Sequence, residues 1–148
     1  MNTHHLLLIA HLLSAAVWVG GHLILSVSFL PEALRKKDPK IILLFEEKYG
    51  KIGLPSLAIL IITGIWMAYD YNATIGTWLS FSSPIESVVS TKLALLLLTF
   101  AFAINAQTRV IPKLSPKNLN VMAFHIISVT TIGVIMLILG STVRYGGI

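Results

Sequence analysis

Three histidines stand inside stretches too apolar to hold them without a partner. His11 and His22 lie in the run LLLIAHLLSAAVWVGGHLILSVSFL over residues 6–30, and His125 lies in the last apolar run. A titratable side chain within a lipid-spanning segment is expensive and marks function by default. His11 and His22 are eleven residues apart. At ~100° and ~1.5 Å per residue they share one helix face, ~16 Å apart along the axis. His125 and Met136 repeat the spacing of eleven near the other end of the chain. If the first and last helices run in opposite directions, His22 comes level with His125 at an inner depth, and His11 level with Met136 at an outer one.

Two imidazoles from different helices at one depth can grip haem b as axial ligands, His22 and His125 on an inner haem and His11 on a second, outer haem or metal with Met136. The same histidines with Met67 and Met136 suit Cu(I), since imidazole and thioether are both ligands for it. Proton relay near neutral pH is a third use, and hydrogen bonding to a backbone carbonyl or serine across the bundle is the plain structural one. Gly20 and Gly21, with Ala15, leave room for a flat ligand or for a packed helix. Lys92 either snorkels outward or holds an anionic group such as a haem propionate near the outer surface.

Other chemistries lack their residues. Apart from Glu86 in the opening turn of the third span, no acid falls within an apolar span, so paired-carboxylate catalysis and carboxylate-rich metal sites lack their ligands. Ser14 is three residues from His11, but no acid completes a triad. No glycine-rich phosphate loop is present. The chain has no cysteine, which excludes disulfides, iron–sulfur clusters, thiolate zinc and covalently attached haem.

The elements that must position these residues are membrane helices. Of 148 residues, 55% are apolar types and only 11% are charged, against about a quarter charged in soluble domains. Crossing a ~30 Å hydrocarbon core takes ~20 apolar residues. The expectation is an all-α integral membrane four-helix bundle in one domain over residues 1–148, with spans at about 6–30, 52–69, 85–107 and 119–139. The first span is too long for a cleavable signal. Met1–His5 reads as a short solvated tip, and Pro31 as the end of the first span. Asp38-Pro39 starts the second helix near Pro39, and Pro55 should kink it. Trp66, Tyr69 and Tyr71 form an interfacial belt. Ser83-Pro84-Ile85-Glu86 is a capping box with proline at the first helical position, Asn105 and Gln107 are interfacial, and Ser115-Pro116 restarts the helix.

The +5 net charge does not signal nucleic acid, because nine of the eleven Lys and Arg fall in the first and third loops. That asymmetry places both loops in the cytoplasm and both termini outside, as in a multi-pass protein of the inner, cytoplasmic membrane. The lipid bilayer is then the surrounding partner, with a quinone or a small redox protein as the partner class and a homo-oligomer permitted by the glycine faces.

The pattern H-x6-W-x-G-G (His11, Trp18, Gly20, Gly21), the stretch Leu60-Ile61-Ile62-Thr63-Gly64, the opening Thr91-Lys92-Leu93 of the third span and the closing Val143-Arg144-Tyr145-Gly146-Gly147 resemble the CopD-like family of small copper-resistance-type membrane proteins. The chain is also similar to the related HemJ-type protoporphyrinogen oxidases. The resemblance implies a haem-b-binding four-helix membrane protein. It matches His11 to a first-helix haem ligand and Lys92 to a third-helix lysine. His22 and His125 are not part of the HemJ-type pattern, and Pro31-Glu32 displaces the basic residue usual after the first span. Those departures favour a cytochrome-like or CopD-like role, with electron transfer or a haem-dependent membrane oxidoreductase first, copper binding or transport as the alternative, and a porphyrin-handling oxidase third.

Overall fold

The structure is a computed structural model and describes residues 3–148. Four long helices carry it: α1 (Thr3–Lys36), α2 (Lys40–Asp70), α3 (Pro84–Lys113) and α4 (Leu119–Tyr145), each long and apolar enough to cross a membrane. Their outer surface is correspondingly apolar. Leu13, Val27, Leu54, Leu97 and Phe124 are among the large apolar side chains left facing outward, an arrangement that suits lipid and not water. The chain is a multi-pass membrane protein.

The helices alternate in direction. At one end, Nδ1 of His4 lies 2.9 Å from Oδ2 of Asp70, and the Ile148 N–H reaches the Pro84 carbonyl at 3.4 Å. The start of α1 is thereby tied to the end of α2, and the chain beyond α4 to the start of α3. Thr3, His4 and His5 are already helical, so the expected tip is the first turn of α1. Met1 and Asn2 lie outside the described residues.

Pro31 does not end the first helix. Leu25–Phe29 forms a wide π turn closed by the Leu30 N–H on the Leu25 carbonyl, and the helix resumes over Leu30–Lys36 with Pro31 in its first turn. A proline in a regular helix presses its ring on the carbonyl four residues back and leaves it without a donor. The π turn relieves both problems by changing the bonding partner one step earlier. Leu25 and Leu30, five apart, are consequently both buried, and with Ala33, Ile42, Met122 and Ile126 they form the core at this end.

Lys37 then takes a left-handed conformation (φ 53°), and Asp38 Oδ1 accepts the Lys40 N–H at 3.0 Å, so α2 begins directly after Pro39. At α3 the Ser83 hydroxyl accepts the Glu86 N–H at 3.2 Å, while the Glu86 carboxylate takes the Ser80 hydroxyl at 2.9 Å. Only half of the expected reciprocal cap is made. The third helix also outlasts its expected end near Gln107, passing through a second π turn (Ala106–Val110). The fourth starts later than Ser115-Pro116 suggests. Asn118 closes the turn by accepting the Ser115 N–H at 2.7 Å, and α4 begins at Leu119.

Ser90 of α3 is fully buried, and among the described residues its hydroxyl has no hydrogen-bond partner. An unsatisfied buried hydroxyl is destabilising by ~1–3 kcal/mol. Ser90→Ala should therefore raise the thermal midpoint of the detergent-solubilised protein by about 2–4 °C, and a fall would mean that the hydroxyl has a partner.

Candidate functional site

The interior face of the bundle is built by α1 and α4, with α2 and α3 closing it. Each of the three helix histidines has its Nδ1 fixed. His22 Nδ1–H donates to the Trp18 carbonyl at 2.8 Å, one turn back on its own helix. His125 Nδ1–H donates to the Val121 carbonyl at 2.8 Å in the same manner. His11 Nδ1 lies 2.8 Å from the Thr63 hydroxyl, which spends its own hydrogen on the Ile59 carbonyl at 2.6 Å. Thr63 is therefore the acceptor and His11 the donor. A neutral imidazole that donates from Nδ1 keeps its lone pair on Nε2. Fixing the tautomer through the other nitrogen is how proteins prepare a histidine to bind a metal.

His22 and His125 line one cavity of about 410 Å³, together with Trp18, Tyr49, Phe102 and Met122. That volume lies within the ~300–1,000 Å³ of ligand pockets. Leu25, Leu57, Ile126 and Val129 supply further apolar wall, while Glu46, Glu47 and Gln107 are its polar margin. The two rings are not equally free. Among the described residues nothing bonds Nε2 of His22. The Asn105 carboxamide oxygen lies 3.0 Å from Nε2 of His125. A carbonyl oxygen there suits only an imidazolium, so a neutral His125 calls for the carboxamide turned to present its NH2. In either state His125 can ligate only after Asn105 withdraws.

Tyr49 holds the wall beside His22. Its hydroxyl donates to the Trp18 carbonyl at 2.7 Å, the same oxygen that fixes His22. Its ring fills the space where Gly21 and Gly53 have no side chain; a methyl on Gly53 would stand 2.7 Å from the ring, and one on Gly21 would overlap it outright. Gly21 is thus a packing glycine, one of the two uses expected of the pair, and neither Gly20 nor Gly21 lines this cavity. Trp18 does line it, 4.6 Å from His22 between ring centroids.

The outer level is a separate place. His11 packs on α2, where a methyl at Gly64 would come within 3.2 Å of its Cε1. The Lys92 ammonium points inward, 3.4 Å from where a methyl on Gly140 of α4 would stand. It does not snorkel to the surface. Met136 is half-buried and lines neither this cavity nor the groove described below. Among the described residues no three His, Asp or Glu converge on a point that could hold a metal ion.

Sequence reasoning missed Tyr49, Thr63, Met122 and the role of Asn105. Tyr49 had a signal: it sits four residues before Gly53, the spacing at which an aromatic ring can lie over a glycine of its own helix.

The family model for copper resistance protein D matches residues 44–144, about two-thirds of the chain. The chain belongs to this family. The match covers Tyr49, Lys92 and His125, while His11 and His22 precede it. No curated protein and no solved structure matches the chain.

Proposed function

We propose that this copper-resistance-type membrane protein is redox-active and holds one haem b in its central cavity. His22 would hold it, and His125 would offer a second ligand once Asn105 moves aside. The observation that carries the reading is the free Nε2 of His22, its tautomer fixed by the Trp18 carbonyl, on the wall of an apolar cavity of about 410 Å³. Haem iron takes an imidazole from such a position, and its macrocycle needs apolar walls. Haem would supply one-electron chemistry; the chain's part is to ligate it, orient it and keep it dry. The basic first and third loops set these ends of the helices toward the cytoplasm in the inner membrane.

Copper is the second reading. It is favoured by the family and by Met122, whose thioether lines the same cavity as both histidines. A bare ion would leave most of that volume empty, which is why haem stands first.

One sample distinguishes them. The visible spectrum and metal content of the protein purified in detergent should show a Soret band with iron near one per chain. Colourless protein with stoichiometric copper would replace haem by the second reading, and neither metal would reject both.

A further inference from the structure

A second concavity lies on the lipid-facing side of α1 and α2. It is a groove of about 800 Å³ whose floor includes Gly20 and Gly21 and whose walls include Phe29, Phe45 and Tyr49. A side chain at Gly20 would meet nothing within 4 Å, so this part of the floor is open. Tyr49 belongs to both linings and is the partition between groove and cavity. Five rings form an unbroken series through that partition. Phe29 to Phe45 is 4.9 Å between centroids, Phe45 to Tyr49 is 5.2 Å, Tyr49 to His22 is 5.5 Å, and His22 to Trp18 is 4.6 Å.

The groove's polar residues are Glu32 and Lys48. Glu32 is bonded to Lys36 at 2.6 Å, whereas Lys48 forms no ion pair among the described residues and is left as a donor. The Glu32 charge is balanced by Lys36, so Lys48 is the donor the rim offers. A phospholipid phosphate would meet the carboxylate as well as the ammonium, but a neutral ring with carbonyl acceptors needs only the donor. A planar ring also suits a glycine floor between aromatic walls, where offset or edgewise contact is favourable.

We propose that this groove seats the ring of a lipid-soluble quinone, its carbonyl toward Lys48 and its isoprenoid tail along the exposed faces of Val17 and Ile24. The ring series then links the bound quinone to the cavity through Tyr49 and His22. Binding in the groove does not depend on what the cavity holds.

The test uses the full chain in phosphatidylcholine nanodiscs, titrated with decylubiquinone while tryptophan fluorescence is followed. Quenching should be saturable. Gly20→Leu, whose side chain enters open space, should weaken it about tenfold or more. Leu97→Phe, on the lipid-facing surface of α3, should leave it unchanged. An azidoquinone should crosslink wild-type protein within residues 16–52, a measurement that stands even if the leucine variant does not fold. Non-saturable quenching, an unaltered Gly20→Leu titration, displacement by an equal amount of phosphatidylglycerol, or crosslinks elsewhere would each overturn the proposal. Protein that binds the quinone yet shows no Soret band would overturn the haem reading alone.

Discussion

His22→Ala should yield protein without its cofactor, whereas His125→Ala should retain part of it. The difference follows from the two Nε2 atoms. That of His22 has no partner among the described residues, so a ligand bond there displaces none of them. That of His125 is engaged by Asn105 at 3.0 Å, so ligation must first break a part-buried hydrogen bond, whose net worth is about 1 kcal/mol. The cofactor-to-protein ratio after purification is the measurement. We expect loss of the Soret band in His22→Ala and a band of altered, five-coordinate shape in His125→Ala. Asn105→Ala should act oppositely, freeing His125 and raising the low-spin fraction. Retention of a normal spectrum in His22→Ala would move the ligand to His11 and reject the central cavity as the site.

Gly21→Ala should be the most damaging single methyl at any glycine of the four long helices. The added carbon would overlap the Tyr49 ring, which also rests on Gly53, so the ring must leave this slot. Overpacking of this kind is destabilising by ~1–3 kcal/mol. Moving the ring also gives up the hydroxyl's bond to the Trp18 carbonyl, net ~1 kcal/mol more. The sum, roughly 3 kcal/mol, is read as a lowered unfolding midpoint in detergent. The double variant Gly21→Ala, Tyr49→Ala should be less destabilised than the two single effects added, because they share one contact. Strict additivity would show that Gly21 and Tyr49 do not meet. Gly20→Ala, one residue away in open space, is the control and should be near neutral.

The architecture was legible because lipid imposes a single requirement, that every backbone polar group be satisfied within its helix. Apolar runs of sufficient length therefore found all four helices, and Asp38-Pro39 found the start of α2 within a residue. What escaped was local bonding. Pro31 reads as a stop in any chain that obeys the regular helix period, and a π turn breaks that period without leaving a mark in composition. The histidines of α1 and α4 were legible as improbable residues in apolar runs. Their partners were not, since Thr63, Asn105 and Tyr49 become partners only when other helices bring them near. Asn105 looks interfacial by its position at the end of a run, yet it is half-buried beside His125. Lys92 permitted two readings, and the inward approach of its ammonium to Gly140 speaks against the outward one.

The wide turn at Leu25–Phe29 amounts to one surplus residue absorbed inside a helix. It divides α1 into two rigid cylinders whose inward stripes are out of phase by about one residue's rotation, ~100°. The upper cylinder is indexed by His22 and Trp18, the lower by Leu30 and Ala33. Loss of a single residue between them would restore an ordinary helix in which Leu25 and Leu30 stand four apart, with both stripes still facing the core. The histidine-bearing half of the helix and the half at its basic end thus keep a common inward face across a joint that holds one added residue.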